Sequence, residues 1–338
     1  MATKILLSKD KKQYKANLHS HSNLSDGKLS PAEMKELYKA NGYDILAITD
    51  HCRPVNHSDM NEKDFLLLTG YEAYIRGENH SAYCPEIHLN LFAKDPENVT
   101  LICYNEKYTK YIPKEKHGEI VRAGSERPRE YTAEYINEFI DTAIQNGYLV
   151  SYNHPFWSME SEETILSYKN YFSLEMYNTS SYVSNNIEGA EALYDRMLRL
   201  GMRVGCHAGD DNHNKHPFDD PENDSCGWYT MILADSLEYG DIMDALEKKE
   251  CYASNGPRIN EISVIDGETV HIECSPASKV FLYVGSKSIK HVRLPKGETA
   301  TSFDLKLHEN AKYIRVTVYD EEGNVANSRG FFPEEWKD

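Results

Sequence analysis

Five short segments of the sequence carry histidine or carboxylate side chains that could bind metal ions. In chain order they are His19-Ser20-His21 with Ser25-Asp26-Gly27, then Thr49-Asp50-His51, Gly70-Tyr71-Glu72, Asn153-His154-Pro155 and Gly209-Asp210-Asp211-Asn212-His213. Imidazole combined with carboxylate suits Zn, Mn or Fe, whereas an all-oxygen set would indicate Mg or Ca. Five segments offer more donors than one ion needs, so the sequence predicts a site with several divalent ions.

Taken singly, each of these motifs is weak. A lone histidine is more often a surface or structural residue than a ligand. Asp50 and Glu72 could equally cap a helix, and Asp26 could serve the turn at Gly27. Their position strengthens the metal interpretation, because each segment follows a predicted strand. The carboxyl ends of parallel strands form the rim where α/β enzymes place their sites.

The elements that must position these segments alternate between strand and helix up to about residue 257. Strands are predicted at 14–19, 44–49, 66–71, 88–93, 148–152, 173–177, 202–207 and 228–233, and helices at about 31–41, 131–146, 186–200 and 237–249. The clearest helix start is Ser30-Pro31-Ala32-Glu33, which combines an N-cap, a first-turn proline and a capping-box glutamate. Such alternation predicts a parallel sheet or barrel. Residues 94–129 are polar and are expected to form a long excursion.

The pattern of predicted secondary structure changes after Asn255-Gly256-Pro257. Short strand patterns separated by turns follow, without a helical pattern. This predicts a small antiparallel β-sandwich. We therefore expect two domains, a catalytic one at 1–257 and an all-β one at 258–338.

Composition excludes several classes of protein. The chain has 37 Lys and Arg against 54 Asp and Glu, a net charge of −17, which disfavours long nucleic acids and anionic membranes. Apolar runs are too short to cross a bilayer, and the N-terminus does not resemble a signal peptide. The seven cysteines are scattered without CxxC spacing, which argues against a disulfide framework or a thiolate zinc site. A reducing, cytoplasmic location is expected.

The motifs HSHSNLSDG, AITDH, GYEAYI, EIHLNLF, YNHP and GDDNH together resemble the motif series of the PHP (polymerase and histidinol phosphatase) metallohydrolases. They occur in the family's order over about residues 14–256. The trailing β module resembles that of stand-alone bacterial members. The resemblance implies a distorted, TIM-like (β/α)7 barrel with a trinuclear site holding two to three Zn, Mn or Fe ions.

The resemblance also implies which residues bind each ion. The three sets are His19, His21, Glu72 and Asp211; Asp26, His51 and His213; and Glu72, His88 and His154. His80 competes with His88 for the third set, and we prefer His88 because it begins an apolar strand.

Further residues are expected near the site. Asp50 and Asp210 should orient the ligands beside them. Glu175 matches a family carboxylate near the site, although a core or turn role is equally open. His207 should point into the barrel; either it or a metal-bound water could protonate the leaving oxygen. Loop arginines could bind phosphate through bidentate contacts, and the candidates are Arg53, Arg127, Arg129 and Arg258.

The leading hypothesis is hydrolysis of a small phosphomonoester or nucleotide, with a hydroxide that bridges the ions as the nucleophile. A second hypothesis is hydrolysis of an amide, ester or carbamate by the same cluster. Several basic residues lining the pocket would favour phosphate, and few would favour a neutral carbonyl. A third is a non-catalytic binding or scaffold protein, which predicts eroded ligands, whereas all nine ligand positions are present. The expected partner is a small phosphorylated substrate, not a long nucleic acid or a membrane.

Overall fold

The computed structural model describes residues 2–77 and 81–337 of a mixed α/β chain. The strands are β1 (Thr3–Leu7), β2 (Lys12–Asn17), β3 (Ile45–Ile48), β4 (Leu66–Arg76), β5 (Glu86–Ala93), β6 (Leu101–Ile102), β7 (Arg122–Ala123), β8 (Tyr148–Tyr152), β9 (Ser173–Asn178), β10 (Gly205–Gly209), β11 (Tyr229–Ala234), β12 (Cys251–Ser254), β13 (Ile259–Ile265), β14 (Thr269–Ala277), β15 (Lys279–Tyr283), β16 (Lys290–Arg293), β17 (Ala300–Lys306), β18 (Arg315–Tyr319) and β19 (Val325–Ser328). The helices are α1 (Pro31–Ala40), α2 (Ala133–Gln145), α3 (Glu162–Ile165), α4 (Thr179–Asn185), α5 (Glu191–Arg199) and α6 (Tyr239–Glu247).

The main sheet runs in the order β10-β9-β8-β5-β4-β3-β2-β11-β12-β19-β18-β15-β16. Strands β2, β3 and β4 are parallel to one another, as are β8, β9 and β10. However, β5 runs antiparallel to both β4 and β8, and β11 runs antiparallel to β2. The prediction of a purely parallel arrangement is therefore wrong at these strands. A strand that follows its neighbour without a crossover element must reverse direction, as β5 does after β4.

The expected TIM-like barrel is not confirmed, because the sheet is not closed. Among the described residues, β10 forms a backbone ladder with β9 but none with β11. The side chain of Thr230, in β11, spans this gap. The Thr230 hydroxyl donates to the Ala208 carbonyl oxygen at 2.7 Å and accepts from the Ala208 amide at 3.0 Å.

Helix α1 shows how the sequence sets the local structure. The Ser30 hydroxyl accepts from the Glu33 amide, and the Glu33 carboxylate accepts from the Ser30 amide, which forms the predicted capping box. Met34 and Tyr38 lie on the buried face and join the core that includes residues of β3. That strand is a continuous buried apolar run, typical of strands covered on both faces.

The helix predicted at 186–200 is shorter in the structure, and a short helix that was not predicted, α4, precedes it. Asn186, the residue after α4, adopts a left-handed conformation with φ of 56°. Helix α5 then begins at Glu191 and ends at Arg199. Asparagine tolerates the left-handed region better than most residues, so it serves as a helix end here.

The C-terminal region is all-β, and its strands form parts of two sheets. Strand β1 from the N-terminus joins β13, β14 and β17 in an antiparallel sheet. Strands β15, β16, β18 and β19 extend the main sheet through the pairing of β19 with β12. The domain boundary at residue 257 stays a prediction.

No helix within the described residues is long and apolar enough to span a bilayer. None of the seven cysteines, all of which are described, forms a disulfide.

Candidate metal centre

The predicted segments converge at one end of the main sheet. His19 and His21 follow β2, His51 follows β3, His154 follows β8, and Asp211 and His213 follow β10. Glu72 and His88 lie within β4 and β5, which extend further than predicted. Asp26 joins them, with its Oδ1 3.4 Å from His213 Nε2, so the structure brings all nine predicted ligands to one region.

Glu72 is the centre of this arrangement. Its carboxylate oxygens lie 3.0–3.4 Å from ring nitrogens of His19, His21, His51, His88 and His154. Burial opposes ionisation of this carboxyl group, but positive charge on His88 and His19 outweighs it and holds the Glu72 pKa well below its usual range. One buried carboxylate thus contacts five imidazoles.

His21 lies between two other imidazoles. Its ring centroid is 4.4 Å from that of His51 and 4.5 Å from that of His213. Burial, and then charge on His51 and His213, lowers the His21 pKa to about 4. His21 is therefore neutral near pH 7, which is the form that binds a metal.

The donors fall into four groups whose ligand atoms lie within 4.8 Å of one another. The groups are His19, His21, Glu72 and Asp211; His21, Asp26, His51 and His213; Glu72, His88 and His154; and His19, His154 and Glu175. Three of these groups contain the three predicted sets, and the fourth adds Glu175. His80, the alternative to His88, lies outside the described residues.

Unsatisfied atoms indicate that these residues fit divalent metal ions. Glu72 Oε2 and His51 Nδ1 are 3.0 Å apart, yet neither atom makes a hydrogen bond to a described residue. His21 Nδ1 is likewise buried without a described partner. Buried polar atoms in native proteins are nearly always paired, so such atoms require an explanation. Imidazole nitrogen and carboxylate oxygen are also the donor types preferred by zinc, manganese and iron.

Two glycines allow the chain to pack this closely. A Cβ atom at Gly27 would lie 2.0 Å from the His21 carbonyl oxygen. A Cβ atom at Gly209 would lie 2.8 Å from His19 Cβ. Two of the predicted ligands also have positive φ, 24° at His154 and 54° at Asp211. Backbone strain of this kind is concentrated at functional sites.

Glu175 holds several of these groups in place. Its Oε1 lies 2.9 Å from His19 Nδ1, and its Oε2 accepts from the His154 amide at 2.9 Å. The same Oε2 accepts from Asn178 Nδ2, which also donates to Asp211 Oδ2 at 3.3 Å. A carboxylate on the outer imidazole nitrogen fixes the tautomer and the ring orientation of a metal-binding histidine.

The other two predicted carboxylates are bound to neighbouring loops. Asp50 accepts from the amide and hydroxyl of Ser22 and from the hydroxyl of Ser25. Asp210 accepts from Tyr38 Oη at 2.7 Å and from three further donors. Burial raises the Asp210 pKa to about 6, despite these hydrogen bonds. Both side chains hold the chain around the candidate ligands.

His207 is buried away from the cavity described below. Its Nδ1 lies 2.9 Å from Ser173 Oγ, and its ring stacks on Phe172. Burial lowers the His207 pKa to about 4.

The predicted arginines also lie elsewhere. Arg53 donates to the carbonyl oxygens of Leu24 at 2.6 Å and Tyr111 at 2.8 Å. Arg129 is buried and donates to the Tyr74 carbonyl oxygen at 2.7 Å. Both therefore stabilise loops beside the site. The side chains of the other two are exposed; they are Arg127 and Arg258. The described residues that line the cavity include none of the four.

A cavity of about 420 Å³ opens onto the candidate ligands. Its lining includes three cations that the motif analysis missed, Arg76, Lys110 and Lys215. Arg76 follows Glu72 by four residues in one strand, and Lys215 follows His213 by two. The period of two along a strand could have identified Arg76. Lys110 lies in the long excursion, where no sequence pattern points to it.

The strand ends of this α/β sheet carry clustered imidazoles and carboxylates. This arrangement places the protein in the class of enzymes with candidate multinuclear metal sites. A family model also matches part of the sequence. Residues 17–177 match the model described as the PHP domain, and this match confirms the resemblance inferred from the motifs. The match and the ligand clusters together support a metal-dependent hydrolase that uses divalent ions.

Solved structures include several with a similar arrangement. A two-domain protein from Bacteroides vulgatus, containing a predicted PHP-like metal-dependent phosphoesterase, is 14% identical over 97% of this chain and 98% of its own, with a TM-score of 0.46. A candidate metal-dependent phosphoesterase from Bifidobacterium adolescentis is 17% identical over 69% and 96%, with a TM-score of 0.40. An amidohydrolase from Chromobacterium violaceum, with bound sulfate and no metal, is 16% identical over 59% and 87%, with a TM-score of 0.39.

Likenesses at this level of identity and TM-score say nothing about activity. Among curated proteins, none matches this chain.

Proposed function

We propose that the protein is a metal-dependent phosphoesterase that acts on a small phosphomonoester. The observation that carries this proposal is the presence of Arg76, Lys110 and Lys215 in the cavity that holds the candidate metal ligands. The lining also contains four carboxylates, of which Asp26, Glu72 and Asp211 are candidate metal ligands and would be neutralised by bound ions. Guanidinium and ammonium groups pair with phosphate oxygens, and a neutral amide or ester would not need them.

The metal centre is proposed to be trinuclear and to contain zinc, manganese or iron. The three sets of ligands would be His19, His21, Glu72 and Asp211; Asp26, His51 and His213; and Glu72, His88 and His154. Divalent ions at such a site lower the pKa of water and neutralise charge on the phosphoryl group.

The chain's own residues then have separate tasks. Arg76, Lys110 and Lys215 bind the phosphate and orient the ester. Glu175 holds a proton on His19 Nδ1, which leaves Nε2 as the metal-facing nitrogen. Since His207 does not line the cavity, we do not assign it the proton transfer to the leaving oxygen.

The size of the cavity supports a small substrate. About 420 Å³ lies at the lower end of the range for ligand pockets, which suits a small ester better than a nucleic acid duplex. The same proposal places the protein in the cytoplasm. It also treats 1–257 as a barrel-like catalytic unit, with 258–338 as its β module.

The decisive experiment measures metal content by mass spectrometry and hydrolysis of 4-nitrophenyl phosphate after reconstitution with Mn, Zn or Fe. We expect two to three ions per chain and metal-dependent phosphate release. His19→Ala should lose at least one ion and most of the activity, whereas the exposed His308→Ala should lose neither. A metal-loaded protein that hydrolyses a carbamate or amide but no phosphate ester would overturn the proposal, and so would a protein that binds no metal.

A further inference from the structure

One wall of the cavity is formed by α4, the short helix after β9. Ser180, Ser181, Ser184 and Asn185 of this helix line the cavity. Positions four apart lie on one face of a helix, so the four side chains form a single surface. We call these four residues the hydroxyl wall.

The hydroxyl wall is held rigidly beside the metal centre. The Asn178 side chain caps α4 by accepting from the Ser181 amide at 2.8 Å, and the Ser180 amide donates to the Asp210 carbonyl oxygen at 2.9 Å. Asn178 also contacts Glu175 and Asp211. One residue therefore fixes both the wall and the candidate ligands, which is the preorganisation that a binding site requires.

The polar side chains of the wall are available to a ligand. Their hydroxyl and amide groups make no hydrogen bond to any other residue that the structure describes. Ser181 is only 4% exposed as a residue, whereas Ser184 and Asn185 are exposed at the cavity. A ligand in the cavity could therefore replace water as the hydrogen-bond partner of these groups.

The chemistry of the wall selects among ligands. Its side chains are neutral, and each hydroxyl can both donate and accept. This complements other hydroxyl groups, whereas an ammonium would require a carboxylate there.

Three aromatic side chains line the cavity, and the comparison with AMP in the test below shows whether any of them stacks on a nucleobase. Arg76 lies over the ring of Tyr74 at 5.0 Å, and Lys110 lies over the ring of Tyr111 at 4.7 Å. The Tyr111 ring also stacks on His51. Protein groups therefore contact the rings of both tyrosines. The third aromatic residue of the lining, Trp157, is 38% exposed, with its ring centroid 5.2 Å from that of His88.

We infer that the hydroxyl wall binds the leaving group of the substrate and that this group is polyhydroxylated, as in a sugar or polyol phosphate. The inference rests on the proposed phosphoesterase function and names its substrate class. The phosphate faces Arg76, Lys110 and Lys215, and the hydroxyl groups of the leaving alcohol bond to Ser180, Ser181, Ser184 and Asn185.

The test compares glucose 6-phosphate with hexyl phosphate, which has six carbons but no free hydroxyls, and with AMP. The metal-loaded full-length chain should prefer glucose 6-phosphate. Ser181→Ala and Ser184→Ala should each lower the ratio of kcat/KM for glucose 6-phosphate to that for hexyl phosphate by about fivefold, since one net hydrogen bond is lost. Ser302→Ala, a matched change on an exposed strand of the C-terminal region, should leave this ratio unchanged.

A second readout does not depend on turnover. Calorimetry should show that Ser184→Ala weakens binding of glucose 6-phosphate, relative to hexyl phosphate, by a similar factor. A wild-type ratio near one, a ratio unaffected by both variants, or a preference for AMP would overturn the inference while leaving phosphoester hydrolysis intact. If no ester releases phosphate, the proposed function fails. Calorimetry then tests the role of the hydroxyl wall on its own. Selective binding of glucose 6-phosphate that is lost in Ser184→Ala supports this role, and the absence of selective binding overturns it.

Discussion

Two buried polar clusters in this molecule differ in one respect. The candidate metal centre crowds imidazoles around Glu72 and leaves several of their atoms without partners. The second cluster joins α5 to β18, where Arg315 pairs with Asp195 at 2.9 Å and also donates to Thr317 and Asn327. Every guanidinium nitrogen of Arg315 has a described partner. The difference shows which cluster is complete by itself and which requires a ligand.

The completed cluster should matter for stability but not for metal binding. Arg315→Met leaves Asp195 charged and buried without its partner, so we expect the free energy of unfolding to fall by about 3–5 kcal/mol. Urea denaturation would measure it. The exposed Arg293→Met should change stability by less than about 0.5 kcal/mol. A similar loss in both variants, or a loss of metal from folded Arg315→Met, would remove the contrast between the clusters.

The incomplete cluster should show the reverse behaviour. Glu72→Gln removes the charge that five imidazoles share. We expect fewer metal ions per chain and a loss of phosphatase activity of more than about 100-fold, because substitution of a residue that merely supports ligands already costs up to that amount. The measurements are metal analysis and steady-state kinetics, with the exposed Glu298→Gln as control. Full metal content in Glu72→Gln would refute the central role of this carboxylate.

Metal removal should distinguish the two clusters within a single protein. Chelation of the loaded enzyme should lower its stability, by about 2.7 kcal/mol per site for an ion previously held at 100 times its Kd. Thermal melts with and without chelator would show the shift. The same shift is expected in Arg293→Met. Absence of the shift in the wild-type protein would mean that the unpaired atoms of the candidate metal centre need no ion.

The smallest effect is expected at Glu175, the carboxylate that holds the candidate ligands His19 and His154 in place. Glu175→Gln removes the charge beside His19 Nδ1 while nearly preserving shape, and an amide cannot accept at both of its ends as Glu175 does. We expect metal affinity to fall by about 10-fold to 100-fold. Competition with a chelator would measure it, and Glu188→Gln, which is exposed, provides the control. Loss of a whole ion at saturating metal would instead make Glu175 a direct ligand.

The sequence predicted those features that depend on neighbouring residues. The capping box at Ser30 and the histidine and carboxylate motifs at strand ends are local signals, and the structure places them as expected. The four candidate arginines lie outside the cavity lining, which the sequence could not indicate because a side chain's surroundings depend on distant segments. Arg53, for example, is bound to the carbonyl oxygen of Tyr111. Lys110 reaches the cavity through an irregular excursion for which no periodicity exists.

The topology was harder to predict for the same reason. Alternating strands and helices suggested parallel pairing throughout, but the hairpin of β4 and β5 depends on the path of the connection between them. Strand β1 was not predicted, since its pairing partner β13 is far away in the sequence. The end of α4, before the helix predicted at 186–200, depends on the backbone conformation of Asn186, which composition does not reveal.

The pairing of β1 with β13 has a consequence for biosynthesis. Thr3 lies opposite Ile265, so the first strand leaves the ribosome long before its partner exists. At about 5–20 residues per second, the wait is roughly 13–50 s. During that time the nascent chain carries an unpaired strand edge, the type of surface that recruits other strands. Chaperones that shield emerging chains would therefore have to protect the edge of β1 until β13 has been synthesised.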